Sequence, residues 1–285
     1  MKISNYCFCT LALGKQYRKF ATDLVIDLAD YSDQKNIIIF TDKPSDFKNF
    51  KNVILFKHAA KSVHAYFDKS YVIKKSLQLF EACIFLDADV RITGNVPKSI
   101  NFGQGIKSYS CFKLTQLYGE GFHSENSRKE KHWKLIEKTA EKVDACPEEA
   151  KFIWEYCLYI TRHKNVFNML DSWKKLGKYY ELNGRIGGEG EALGLAAQAW
   201  EVPVDYDYEK VLPFFKNRVE LWKISQGKST KEEMQFYFDR YHEIKYPRKS
   251  SLIKAIDKVY YHSKVSIRKI KLIINTLWEP KFYYF

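Results

Sequence analysis

The chain has 285 residues, a formal net charge of +13, and 46% hydrophobic and 16% aromatic residues. That length suits one large α/β unit with an appendage, and that apolar content excludes a disordered tail or a fibrous repeat. The positive charge calls for a polyanionic partner: nucleic acid, an anionic membrane surface or a phosphorylated ligand. It is concentrated at one end, where Lys245 to Phe285 carries ten lysines and arginines against Asp257 and Glu279.

The start, Met1 to Thr10, lacks a small-residue cleavage pattern, and no run of 18 apolar residues occurs, so neither a leader nor a spanning helix is expected. A cytoplasmic, reducing setting follows, with a peripheral position on the inner face of the membrane as a variation. The six cysteines are scattered and form no disulfide framework. Cys7 and Cys9 share one face of an expected strand, which favours core packing over metal binding.

In chain order, Tyr6 to Ala12 is a short apolar strand ended by Gly14, and apolar residues at helical spacing follow from Tyr17. Asn36 to Phe40 is a β-branched strand that ends at Thr41-Asp42-Lys43-Pro44. Val53 to Phe56 is a third strand, Lys69 to Leu79 a helix, and Ala82 to Leu86 a fourth strand that runs into Asp87-Ala88-Asp89. This alternation implies βαβ units and a mainly parallel sheet, in which ligands gather at the carboxyl ends of strands. Thr10, Thr41-Asp42 and Asp87-Ala88-Asp89 are therefore expected on one rim.

Asn101 to Pro147 is polar, holds Gly103, Gly105, Gly119 and Gly121, and reads as a mobile loop followed by a surface helix over Ser127 to Val143. Phe152 to Thr161 is an aromatic strand, Asn165 to Tyr179 an amphipathic helix, and Glu189 to Ala199 a helix with acidic residues in its first turn. The expected organisation is a catalytic domain over 1–245, with a nucleotide-binding half over 1–100 and an acceptor half over 101–245. A basic tail over 246–285 completes the chain.

Two carboxylates one residue apart, just past a buried strand, suit one task. On extended backbone both side chains point the same way, so both can grip one hard cation that bridges the phosphates of a nucleotide. Ala88 between them leaves the backbone accessible. Without a cation or hydrogen-bond donors the two charges would repel each other.

The string Ile84-Phe85-Leu86-Asp87-Ala88-Asp89-Val90-Arg91-Ile92 resembles the strand-plus-DxD signature of GT-A-type glycosyltransferases, and Thr10 through Asp42 is similar to their nucleotide-binding half. The resemblance is strongest to the retaining families six and eight. It implies a GT-A-like, Rossmann-related α/β fold and transfer of a hexose from a nucleotide-sugar, a UDP-sugar first, to a saccharide or lipid-linked acceptor. It further implies that Asp87 and Asp89 hold Mn²⁺ or Mg²⁺ on the donor diphosphate, that Thr10 and Ala12 line the nucleoside, and that Asp42 lies near the base or ribose. Of two lysines on the helix before the motif, Lys74 and Lys75, the resemblance favours Lys75 near the donor. Gly187-Gly188-Glu189-Gly190-Glu191-Ala192-Leu193-Gly194 is similar to the segment those families place beside the reacting sugar carbon, which nominates Glu189 and Glu191. Gly190 departs from the family, which carries Gln or Glu there. His242 is the candidate third metal ligand, although its flanks do not match the usual pattern.

Trp154, Glu155 and Tyr156 are expected on the acceptor side, where aromatic rings can stack on sugar faces. Residues 250 to 278 form a basic amphipathic helix pattern, followed by Phe282-Tyr283-Tyr284-Phe285. Such a helix suits either an anionic bilayer or the protein's own domain. Two other readings stay open: a sugar nucleotidyltransferase, for which Leu13-Gly14-Lys15-Gln16 is poor in glycine, and a non-enzymatic basic protein that binds membrane or nucleic acid. No nucleic-acid fold signature is present, so nucleic acid is not expected as a partner.

Overall fold

The computed structural model describes residues 2–118, 127–206 and 212–285; Gly119 and Gly121 lie outside them. Its centre is a seven-stranded mixed sheet. The strands are β1 (Tyr6–Ala12), β2 (Ile37–Thr41), β3 (Val53–Lys57), β4 (Ala82–Leu86), β5 (Ile106–Ser108), β6 (Cys157–Thr161) and β7 (Val204–Tyr206), in the spatial order β7-β5-β6-β4-β1-β2-β3. β1 pairs in parallel with β2 and β4, β2 with β3, and β5 with β7, whereas β6 runs antiparallel between β4 and β5.

The sheet is a mostly parallel α/β arrangement compatible with a Rossmann-like fold. The chain moves outward from β1 through β2 to β3 and then returns to place β4 on the other side of β1. Strand order therefore reverses between β1 and β4, the switch point at which sheets of this kind hold their ligand crevice, at the carboxyl ends of the strands.

Period-two alternation supplies both faces of the sheet. Cys7, Cys9, Ile38, Cys83, Phe85 and Leu158 point into one cluster, beneath α2 (Lys69–Leu79), α5 (Val166–Leu182) and α6 (Glu189–Ala199). Tyr6, Phe8, Ile39, Ile84 and Leu86 point into the other, with Phe20, Leu24 and Leu28 of α1 (Lys15–Tyr31). All six cysteines are free, and Cys7 and Cys9 pack in the core as their shared face suggests.

Two expectations need correction. Asn101 to Pro147 is more than a loop and a helix, because β5 lies within it and joins the main sheet, and Cys111–Lys113 pairs with Lys151–Ile153 before α3 (Leu114–Tyr118) and α4 (Ser127–Glu141). The aromatic strand over Phe152 to Thr161 is two strands, Lys151–Ile153 and β6, separated at Trp154-Glu155-Tyr156. At that break the Trp154 N–H donates to the Ser110 carbonyl and the Tyr156 carbonyl accepts from Asp87 N–H, so the backbone changes partners there.

The carboxyl-terminal part contains α7 (Asn217–Ser225), α8 (Lys231–Lys245), the 26-residue α9 (Ser251–Thr276) and α10 (Pro280–Tyr283). α9 is anchored through buried Leu272 and Thr276, through Arg268, which donates to the Val63 carbonyl at 3.1 Å, and through a Tyr261–His64 contact at 3.2 Å. Leu252, Ile256, Val259, Ile267, Ile270 and Trp278 remain exposed. No helix among the described residues is long and apolar enough to cross a membrane.

Candidate active site

β4 delivers Asp87 and Asp89 to the crevice, but not on extended backbone. Val90 N–H donates to the Asp87 carbonyl at 3.0 Å, so Asp87 to Val90 forms a turn. The pair still converges. The Lys216 ammonium donates to Asp87 Oδ2 at 2.5 Å and to Asp89 Oδ1 at 3.0 Å.

Local pairing explains how a residue so distant in sequence arrives there. Phe214–Phe215 pairs antiparallel with Arg91–Ile92, with Phe215 opposite Arg91. The next residue, Lys216, is thereby carried level with the turn. Arg91 is itself fixed by Asp27 of α1, through bonds of 2.6 and 2.7 Å, and Asp27 also accepts the Ile92 N–H at 3.0 Å.

A second ammonium enters from α2. Lys69 lies 3.0 Å from Asp87 Oδ1, 3.5 Å from Glu155 Oε1 and 4.0 Å from Glu189 Oε1. The preceding loop is folded around the buried Asp68, which accepts the N–H groups of Lys61 and Ser62 and bonds His58 at 2.8 Å. Asp68 thus fixes where α2 begins and where Lys69 points. The result is four carboxylates, Asp87, Asp89, Glu155 and Glu189, interleaved with two ammonium groups.

Electrostatics set Asp87 apart from Glu189. Burial alone would raise the pKa of Asp87, but Lys216 and Lys69 outweigh it and hold the carboxyl at about 2. Burial pushes Glu189 up to about 8, helped by its neighbour Glu155, and Lys69 only partly offsets this. Glu155 lies beside Glu189, and Glu189 is the carboxyl that burial keeps protonated at neutral pH. Burial would discharge Lys69 and Lys216, yet the surrounding carboxylates raise both pKa values.

The other nominated residues fall into two groups. Thr10, Ala12, Thr41 and Ala88 are buried as whole residues, backbone included, so none of them presents a surface to a ligand as the sequence led one to expect; Thr10 Oγ1 has no hydrogen-bond partner among the described residues. Asp42 accepts from Gly14 N–H at 3.1 Å and from Arg18 at 2.7 Å, and so closes the β1–α1 loop. Gly14 has φ +86°, a left-handed conformation that glycine tolerates best.

Lys75 places its ammonium over the Phe56 ring on β3, and Lys74 pairs with Asp171, so neither joins the cluster. Lys69 is six residues before Lys75, which turns it about 240° around the helix. Glu191 is bound by Tyr118 OH at 2.6 Å and Arg185 at 2.8 Å, whereas Glu189 faces Lys69. His242 packs between Tyr241 and Tyr246. Among the described residues no group of three or more His, Cys, Asp or Glu side chains forms a metal site, and His242 does not complete one with the aspartates.

The Asp87–Asp89 pair nevertheless fits a cation. Its inner oxygens close on a single ammonium at hydrogen-bond distance, and Lys216 Nζ stands in for the ion that two such carboxylates would grip. Lys69 and Lys216 are functional candidates that the sequence does not nominate, and Glu155, expected on the acceptor side, joins them in the same cluster.

Gly190 has a structural reason. A Cβ there would lie 2.5 Å from the Ile153 carbonyl, and one at Gly194 would lie 1.6 Å from that of Lys151. α6 therefore presses glycine against backbone, and this close approach holds Glu189 beside Glu155. No protein-family model matches the chain, and no curated protein matches it in sequence.

Proposed function

We propose that this protein is a nucleotide-sugar-dependent glycosyltransferase of the GT-A kind, acting at the crevice between β1 and β4. The observation that carries this reading is the convergence of Asp87 and Asp89 on one cationic position at the carboxyl end of β4. A parallel sheet with reversed strand order binds ligands at that place. Paired carboxylates there have a purpose when a positive charge links them to a diphosphate.

In this reading Asp87 and Asp89 hold a Mn²⁺ or Mg²⁺ ion, which when bound offsets negative charge on the departing nucleoside diphosphate. Lys69 adds positive charge beside the same leaving group, oriented by Asp87 and Glu155. Glu189 and Glu155 lie across Lys69 from Asp87, where a carboxylate can stabilise positive charge at the sugar carbon or accept the proton of the incoming hydroxyl. On the family resemblance the donor is a UDP-sugar and transfer retains anomeric configuration.

The acceptor side follows Trp154 and Tyr156, with a saccharide or lipid-linked saccharide as substrate. A lipid-linked acceptor accords with α9, whose lysines and arginines accompany an exposed apolar stripe suited to an anionic bilayer. Cytoplasmic placement on the inner face of a membrane belongs to the same proposal. The test is a panel of UDP-, GDP- and CMP-sugars, with donor hydrolysis as readout when no acceptor is known. Turnover of one donor class supports the reading. Absence of turnover with every donor, joined to tight binding of DNA or vesicles, would replace it with a non-enzymatic binding protein.

A further inference from the structure

We infer that Lys216 is a tethered cation for the Asp87–Asp89 pair, an alternative occupant of the position a divalent ion would take, so that Lys216 sets how readily an ion enters. The inference rests on the proposed function only for its use in transfer. The competition itself is a property of three side chains.

Lys216 Nζ contacts Asp87 Oδ2 and Asp89 Oδ1, the inward-facing oxygens that would ligate an ion. The remaining Asp87 oxygen faces Lys69 at 3.0 Å, so that carboxylate is engaged on both sides. A dication drawn between the two aspartates would meet the ammonium at close range inside a crevice where Lys216 and Asp89 are about 14% and 15% exposed. Charge repulsion there is poorly screened. Ion and ammonium therefore exclude each other.

The chain provides a way out for the displaced lysine. Lys216 precedes α7 on extended backbone, with φ −141° and ψ 136°, and its ammonium passes over the Tyr156 ring at 5.0 Å. A four-carbon stem can rotate its head away from the aspartates without moving the strand that holds it. Once displaced, the ammonium remains beside the crevice, where a nucleoside diphosphate supplies new acceptors. Metal entry would thus free a lysine to bind the leaving group, and metal loss would return it to the carboxylates.

Mn²⁺ alone, titrated into the full chain and followed by loss of the free-ion electron paramagnetic resonance signal, tests this without nucleotide or sugar. Lys216→Met should bind a single ion about 10- to 100-fold more tightly than wild type. Lys216→Arg, which keeps the charge, should match wild type, and adding Asp89→Asn to Lys216→Met should abolish the gain. Lys216→Gln, whose amide can still donate to one aspartate, serves the same comparison if the methionine variant does not fold. Equal Mn²⁺ affinity in wild type and the neutral variants, or no binding in the neutral variants, would overturn the inference. Such a failure leaves the transferase reading intact, which fails instead if no donor is turned over.

Discussion

Glu189 and Glu191 lie two residues apart on α6 and serve different surroundings, Glu189 facing Lys69 and Glu191 bound by Arg185 and Tyr118. Two helical positions differ by about 200°, so one glutamate reaches the crevice only if the other turns away. Glu189→Gln should lower turnover by on the order of 10²- to 10³-fold while leaving the fold intact. Glu191→Gln should instead cost about 1–3 kcal/mol of stability through its weakened buried bonds, with little change in turnover of the folded fraction. Steady-state rates and urea melts on the two variants check this division.

The raised pKa of Glu189 carries a pH signature. Its folded value of about 8 lies above the ordinary 4.5, so between those values the folded state holds a proton that the unfolded chain has released. Stability should therefore fall as pH rises through that window, and the slope should flatten above it. Glu189→Gln cannot ionise and should melt higher than wild type at pH 8, with the gap closing toward pH 5. Thermal melts across that range would show parallel curves if the proton were not held there.

Much of this arrangement can be read along the chain. β1, β2, β3, β4, α2 and α6 follow from period and turn chemistry, and Asp87 and Asp89 stand out because they terminate a wholly buried strand. Lys69 and Lys216 cannot be found that way, since a surface lysine and a site lysine look alike in one dimension. Lys69 depends on a loop folded around Asp68, and Lys216 on a two-residue pairing with Arg91–Ile92, more than a hundred positions away. Sequence alone places the Asp87–Asp89 convergence on extended backbone, whereas it occurs on a turn, because Val90 N–H bonds back to the Asp87 carbonyl.

The approach of α6 to Lys151–Ile153 is a second consequence of tertiary packing. Gly190→Ala places a methyl 2.5 Å from the Ile153 carbonyl, a backbone atom that cannot swing aside. The helix must move, at a cost of about 1–3 kcal/mol by the usual penalty for overpacking. Turnover should fall further than stability, because the shift separates Glu189 from Glu155. Chemical denaturation together with donor hydrolysis distinguishes this from a simple loss of folded protein.

For α9, exposed Ile256, Ile267 and Ile270 lie among Lys254, Lys258, Arg268 and Lys271. The protein should sediment with vesicles containing phosphatidylglycerol, not with pure phosphatidylcholine, and salt should weaken the association. Ile256→Asp combined with Ile270→Asp should abolish it without changing the melting profile. Equal sedimentation with both lipids would show that charge does not direct the contact.

The paired aspartates are tested most directly by Asp87→Asn and Asp89→Asn, assayed for donor turnover with Mn²⁺ present and for nucleotide binding by calorimetry. Each substitution keeps the shape of the side chain and removes the charge a cation requires. The account predicts that wild type binds one of UDP, GDP or CMP and turns over the corresponding sugar donor, while both variants fold and lose turnover. Wild-type turnover in both variants would contradict it.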